Sequence, residues 1–427
     1  MKNVLEWLET TVAKYPDKPA FSDTECSITF AQVYDIAQVY DIARNTGAYL
    51  IEQLGVDRTP VAVFAGRKMV TPAYFLGVVY AGRPYAPIDA SLPDKRIEKI
   101  LENLCPRAIV ADRESLEHVE SIVDELVKAE GFDRPQIFIA EDISRFKKVV
   151  CADSNCKISE SAGDAVTDSE NDMLATVRRH MSMTDPLYII YTSGSTGNPK
   201  GVMTSHLSLM TYINAYCDVM HIEESDVLGN QSPLDYIAAI RDIYLPLKTG
   251  CSTAIIPKEY FMEPNALFDY MNDKKVSSVG WSVSAFTILT SLGAFEEVGL
   301  KSLRKICFSG SVMPCRVLRK WQENLPEAHF VNQYGPTEAT ASCTYYSVDH
   351  TVEEDEEMSR LSENRARYAY VDQSWRWVII MIRRGQLRHL HSIHSIRLIL
   401  SVCIAQGITE GSMRTAYFIS VDVWTAR

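Results

Sequence analysis

Apolar residues return at Val4, Leu5, Leu8 and Val12, three or four positions apart, and Pro16 closes the run; this spacing predicts an amphipathic helix. A different pattern follows. Val61–Phe64 is a short unbroken apolar run ending before Gly66, as in a strand buried on both faces. An apolar helix is predicted through Tyr74, Phe75, Val78 and Val79, closing near Gly82. Ala108–Ala111 and Gln136–Ala140 are again short apolar runs, separated by a charged helical stretch, and further strands are predicted at Leu187–Tyr191, Thr253–Pro257 and Lys305–Phe308. Buried strands alternating with helices predict an α/β fold with mostly parallel sheets. A chain of 427 residues exceeds a single core, so two or three domains or subdomains are expected.

The pattern breaks in three places. Residues 152–184 are polar and aperiodic and read as a linker or long loop. The hexapeptide AQVYDI occupies 31–36 and again 37–42, a tandem duplication inside a helix; six residues turn a helix by about 600°, so the two copies face about 240° apart. From Ser359 onward there are ten arginines and no lysine, against 18 lysines and 15 arginines before, and stretches such as RRGQLRHLHSIHSIRLILSV keep neither helical nor strand period. Residues 351–427 therefore read as an aberrant tail rather than a domain. A change of reading frame near residue 358 is the expected origin, with an authentic basic appendage as the alternative.

Charge and composition narrow the function. A net charge of −12 argues against a nucleic-acid partner, which demands a basic footprint. Ten cysteines include no CxxC pair, and the nearest two, Cys151 and Cys156, lie in a polar stretch; free thiols in a reducing compartment are expected rather than a metal site. The opening MKNVLEWLETTVAKYPDK has no apolar signal region, and no apolar run approaches the roughly 20 residues of a membrane span. A cytoplasmic protein with no membrane partner is expected.

Two segments carry chemistry. The strand Leu187–Tyr191 runs through Thr192 into Ser193, Gly194, Ser195, Thr196, Gly197, Asn198, Pro199, Lys200 and Gly201. Glycines let backbone N–H groups approach a ligand, hydroxyls donate to phosphate oxygens and Lys200 adds a point charge; together they make a polyphosphate cradle. It is not a Walker A loop, because Pro199 precedes the lysine and Gly201, not a serine or threonine, follows it. A P-loop phosphotransferase is thereby disfavoured, and formation of ADP rather than AMP would mark one. The second segment is Asn332–Thr340, NQYGPTEAT. Gly335–Pro336 makes a tight turn, Tyr334 offers a flat face for a base, Thr337 a hydroxyl, and Glu338 a hard carboxylate suited to Mg²⁺.

YTSGSTGNPKG (191–201) and YGPTE (334–338), in this order and about 140 residues apart, resemble the AMP-binding superfamily of acyl-CoA synthetases, luciferases and peptide-synthetase adenylation domains. YAGRPYAPIDASLPDKR (80–96) resembles the family's segment upstream of the loop, and the match covers roughly residues 1–350. The resemblance implies a large N-terminal α/β domain of two stacked parallel-sheet subdomains. It implies that Thr192–Lys200 wraps the β- and γ-phosphates of ATP, that Tyr334 lines the adenine site with Asn332 and Gly335 beside it, and that Thr337 and Glu338 serve the α-phosphate and Mg²⁺. Lys200, Thr337 and Glu338 would then act in catalysis: the joining of a carboxylate to AMP with release of pyrophosphate, then transfer to a thiol of CoA or a phosphopantetheine carrier protein.

Within the superfamily the chain looks most like D-alanine–carrier ligases and peptide-synthetase adenylation domains. QSPLDYIAAIRDIY (231–244) resembles the region where amino-acid-activating members hold the substrate's α-ammonium group, and Asp235 is the matching residue. A helix-capping aspartate after Pro233 is the alternative. Gly310–Ser311 stands where that branch often carries Gly-Glu. The family's β-barrel subdomain, its Tyr-x-Thr-Gly-Asp ribose segment and its small C-terminal domain with a late lysine have no counterpart after YGPTE; the last lysine is Lys320. Without those groups the chain is expected to be inactive or nearly so, a fragment that at most binds ATP.

Overall fold

The computed structural model describes residues 2–30, 39–128, 131–145, 168–193 and 198–348, together with four short strands beyond them. The chain opens with α1 (Leu5–Lys14), the hairpin β1 (Pro19–Ser22) and β2 (Ser27–Thr29), and α2 (Val39–Leu54). An alternating run follows: β3 (Val61–Phe64), α3 (Thr71–Tyr80), β4 (Tyr85–Pro87), α4 (Asp94–Leu104), β5 (Ala108–Ala111), α5 (Leu116–Lys128), β6 (Gln136–Ile139), α6 (Ala140–Ile143), α7 (Asp168–His180), β7 (Pro186–Thr192) and β8 (Lys200–Ser205). A second run comprises α8 (His206–Met220), β9 (Val227–Asn230), α9 (Ile240–Thr249), β10 (Ser252–Ile255), α10 (Pro264–Asp273), β11 (Ser278–Ser282), α11 (Val283–Ser291), β12 (Lys305–Ser309), α12 (Cys315–Asn324), β13 (His329–Tyr334) and β14 (Thr344–Val348). The short strands are β15 (Ala369–Tyr370), β16 (Ile380–Ile382), β17 (Leu400–Cys403) and β18 (Phe418–Val421).

Two large sheets result. One has the order β16-β8-β7-β4-β3-β5-β6 and the other β15-β14-β13-β12-β11-β9-β10-β1-β2. Inner strands pair in parallel, as the unbroken apolar runs predicted, while β8 against β7 and β14 against β13 are antiparallel. The largest core lies between the sheets and takes in α1, α2, α3, α8 and α9; there the hydroxyls of Tyr85 on β4 and Tyr244 on α9 are hydrogen-bonded at 3.1 Å. Trp281, Phe286 and Trp321 centre a second core on the outer face of the longer sheet, and Phe64, Leu101 and Ile109 a third on the outer face of the other. The two stacked, parallel-dominated sheets agree with the expected architecture.

One expectation fails. The stretch 152–184 is not a structureless linker throughout, because α7 lies within it. Leu174 and Val177, three residues apart, are buried with Met181, and Arg178 pairs with Glu9 on α1. Val177 lies against Gly82 at the end of α3. A narrow apolar stripe on an otherwise charged helix is diluted in any reading of average polarity. The second AQVYDI copy contributes Val39–Ile42 to α2, and residues 31–38 lie outside the described residues. Elsewhere the predicted strands hold to within two residues at their ends.

Candidate functional site

In parallel α/β sheets, ligands bind beyond the carboxyl ends of the strands. Both sheets present those ends to one cavity of about 770 Å³. Arg67 follows β3, Asp89 follows β4, Gln231 and Asp235 follow β9, and Pro257 follows β10; all line it. The two sheets therefore share a functional edge.

The glycine-rich loop stands on that edge. Strand β7 pairs in parallel with β4, so its last residue, Thr192, lies at the end from which Asp89 projects. Thr192 is opposite Lys200, the first residue of β8, and its Oγ1 donates to the Lys200 carbonyl at 3.5 Å. Strands β7 and β8 thus form an antiparallel pair whose facing ends, Thr192 and Lys200, bracket the loop. Strand β8 leads directly into α8, where Ser205 Oγ accepts from the Ser208 N–H at 3.2 Å. Ser193 is exposed, and among the described residues no carboxylate lies within ion-pair distance of Lys200. Gly194, Ser195, Thr196 and Gly197 lie outside the described residues.

The second motif stands at the end of β13. Tyr334 is 61% exposed, a large ring left open at the edge. Its carbonyl accepts from the Cys343 N–H at 3.0 Å, which folds the segment back along β14. Gly335 is required by this return: a Cβ there would lie 2.5 Å from Ser342 Cα and 2.7 Å from the Ala341 oxygen, both backbone atoms. Thr337, Glu338 and Ala339 form one 3-10 turn. After it, Thr340 and Ala341 are consecutive non-glycine residues at φ of 54° and 72°. Such left-handed residues each cost about 1–2 kcal/mol and persist where their surroundings over-determine them, often at functional sites. Asn332 is opposite Phe308 and Tyr346, in mid-sheet behind the turn.

Asp235 caps no helix. The 3-10 turn at Ile237–Ala239 begins after Tyr236, α9 begins after Ala239, and neither has a side-chain cap. The carboxyl instead sits in the cavity wall, where burial and then the neighbouring Asp89 raise it to about 6, with backbone N–H groups and Arg96 opposing. A carboxylate so placed favours a cation beside it.

Behind this wall runs a polar chain that sequence reading missed. Arg67 Nη2 donates to the Asn230 carbonyl at 2.7 Å and to its Oδ1 at 2.9 Å. Asn230 Nδ2 donates to Asp242 Oδ2 at 2.9 Å, and Arg241 Nε to Asp242 Oδ1 at 3.2 Å. Burial works against the Arg241 charge, but Asp242 together with Tyr216, Tyr212 and Cys307 outweighs it and holds the guanidinium protonated. The guanidinium lies flat on Gly280 of β11, where any Cβ would come within 2.3 Å of Cζ. Gln333 on β13 is buried, and its Oε1 has no partner.

The family model of the AMP-binding enzyme matches residues 8–363. The chain belongs to the AMP-binding enzyme family. Curated relatives include a D-alanine–D-alanyl carrier protein ligase of Bacillus cereus (strain B4264), 28% identical over 350 residues. That match takes in 82% of this chain and 62% of the relative, so the chain spans about three fifths of the length of the curated relatives it matches. Among solved structures, VinN superposes with a TM-score of 0.61 at 17% identity, over 81% of this chain and 78% of its own. The AMPPNP-bound form of the nonribosomal peptide synthetase FmoA3 superposes with a TM-score of 0.64 at 19% identity, over 82% of this chain and 33% of its own. The fold is that of the N-terminal domain of this family.

For an AMP-binding enzyme, the two motifs read from sequence stand at the ends of different sheets, and Asp235 lies in the cavity that both sheets line. Asp89 belongs to the family-like segment 80–96, but only folding shows that it adjoins Asp235. Arg67 and Asn230 are 163 residues apart and carry no local signal of their pairing.

Proposed function

We propose that the chain carries the ATP-handling and substrate-binding part of an enzyme that activates a carboxylic acid, an amino acid, by joining it to AMP from ATP with release of pyrophosphate, for transfer to the thiol of a carrier protein or CoA. Ligand binding is what this part retains by itself. The reading places the AMP-binding unit at residues 1–350, with 351–427 outside it. What carries the proposal is the convergence of the strand ends that bracket the phosphate loop and the Asp235 cavity on one sheet edge, within a chain of this family.

Each residue then has a task. Thr192, Ser193, the loop Gly194–Gly197 and Lys200 hold the β- and γ-phosphates. Tyr334 lies along the adenine, Thr337 meets the α-phosphate, and Glu338 contributes a carboxylate to Mg²⁺. Mg²⁺ would be held by that one carboxylate together with phosphate oxygens and water. When bound, the ion would neutralise charge on the phosphates. Asp235 receives the substrate ammonium group and so turns the α-carboxylate toward the nucleotide. One carboxylate oxygen then attacks the α-phosphorus, the bond to the bridging oxygen breaks, and pyrophosphate leaves with the electron pair. Lys200 and the loop N–H groups stabilise the charge that builds on that leaving group.

Nucleotide affinity tests the reading. Titration calorimetry with Mg²⁺ and a non-hydrolysable ATP analogue should show binding that Lys200→Ala weakens about ten-fold or more, the loss of one charged hydrogen bond of about 1.5–3 kcal/mol. Unchanged affinity in Lys200→Ala and Tyr334→Ala together would overturn it. Amino-acid-dependent exchange of pyrophosphate into ATP reads the adenylation step.

A further inference from the structure

Arg67 is an unusual wall for a cavity that holds Asp235. Its hydrogen-bond partners among the described residues are neutral: the carbonyl and the amide oxygen of Asn230. Among the described residues no carboxylate lies within ion-pair distance of it. Asp242, the nearest acid in its network, is already shared between Asn230 and Arg241. The cavity's other cations differ: Lys68 pairs with Asp112 and Glu114, and Lys258 is exposed. Most of the cavity's acids are also committed or peripheral. Asp23 accepts from the N–H groups of Glu25, Cys26 and Met69, while Glu25 and Glu259 are exposed at the rim. Burial weakens Arg67's hold on its proton, down to about 10, with Asp242 and Glu259 opposing.

A guanidinium has five N–H donors in a fixed plane. Nε and Nη2 donate to Asn230, Nη1 has no hydrogen-bond partner among the described residues, and Arg67 lines the cavity. Water can accept from Nη1 until a ligand takes its place. A ligand that displaces the water without replacing its bonds loses affinity, and a site built around such a donor rejects analogues that lack the acceptor. We propose that Arg67 reads a side-chain oxygen acceptor, a carboxylate or carboxamide, of the same amino acid whose ammonium group pairs with Asp235. The cavity is then bipolar: Asp235 and Asp89 at the ammonium and Arg67 at the side-chain oxygen, with apolar Val63, Phe75 and Ile256 also in its lining. Its volume of about 770 Å³ exceeds that of any single amino acid, so size alone selects nothing and the charged walls must. This rests on the amino-acid reading of Asp235.

The test is a calorimetric panel on the full chain with Mg²⁺ and the non-hydrolysable ATP analogue present. Both enantiomers of aspartate, asparagine, glutamate and glutamine are compared with leucine and methionine, which match them in size without the oxygen. At least one oxygen-ended amino acid should bind about ten- to hundred-fold tighter than its apolar match, the worth of a hydrogen bond to a charged group. Arg67→Met should erase the difference and Arg67→Lys should keep part of it, with analogue affinity unchanged in both. Should leucine or methionine bind as well as the best oxygen-ended ligand, the inference is overturned. If that binding still disappears in Asp235→Asn, the reading of Asp235 survives. If no amino acid binds and Asp235→Asn changes nothing, that reading falls and takes this one with it. The wild-type panel decides even where Arg67→Met does not fold.

Discussion

Burial and Asp89 together raise the Asp235 carboxyl to about 6, and the consequence for stability has a definite sign. An unfolded aspartate titrates near 3.9, so folding takes up a proton between roughly pH 4 and 6. The unliganded protein therefore loses stability as pH rises through that window, because above it a half-buried charge stands beside another acid. Asp235→Asn removes the charge. At pH 7.5 the variant should be more stable than wild type, on the order of 1–2 kcal/mol, with no such gain at pH 4.5. Amino-acid affinity should move the other way: in wild type it strengthens as pH rises through about 6, and in Asp235→Asn it is lost at every pH. Urea unfolding at the two pH values, with calorimetry alongside, reads both effects. A variant less stable at pH 7.5 than wild type would show that the carboxylate is held by contacts that outweigh its burial.

At the scale of elements, α7 separates what local sequence shows from what folding adds. Its buried residues are few, and Leu174 is 3% exposed. If the helix packs as described, Leu174→Ala should cost about 2–4 kcal/mol, the usual range for truncating a buried leucine. A linker residue would change nothing beyond about 0.5 kcal/mol, so the unfolding midpoint distinguishes the two outcomes. Of the six strands that were legible, Val61–Phe64, Ala108–Ala111, Leu187–Tyr191 and Lys305–Phe308 are inner strands with mostly buried residues, so burial wrote a short apolar run into each, while Gln136–Ile139 lies half-exposed at a sheet edge and was legible from its apolar composition alone. Strand β8 reads KGVMTS and β14 TYYSV; both are antiparallel, and their mixed composition carries no such run. In the site, the motif residues Thr192, Lys200, Tyr334 and Glu338 were legible because their chemistry is concentrated in a few adjacent positions. Asp235 was legible only through resemblance, and Arg67, Asn230 and Asp242 were not legible at all. Their roles arise from hydrogen bonds between strand ends that are distant in sequence.

For the whole molecule, the decisive feature is that two sheets built from separate stretches of chain must hold one cavity open between them. The apolar core between the sheets supplies most of the adhesion but little direction, since hydrophobic contact is indifferent to small sliding. The polar chain supplies direction. Arg67 reaches from the end of β3 in one sheet to Asn230 at the end of β9 in the other, and Asn230 is in turn fixed by Asp242, whose carbonyl also accepts from Thr253 Oγ1 of β10 at 2.6 Å. Asp242→Leu would leave Arg241 charged, buried against Gly280 and without its acid, at a cost of about 3–5 kcal/mol. Replacing both partners, as Arg241→Met with Asp242→Leu, should recover most of that loss, because the Arg241 charge that Asp242→Leu strands is removed with its acid. Stability and ligand affinity should then part company. The double variant regains its fold, but Asn230 has lost the acceptor for its Nδ2, so the Arg67 guanidinium that it positions turns more freely. Urea unfolding should place the double variant near wild type, while calorimetry still finds amino-acid binding weakened and ATP-analogue binding unchanged. If the double variant recovers both, the chain of hydrogen bonds is only mortar between the sheets; if it recovers stability alone, the same bonds that align the sheets also aim the cavity wall.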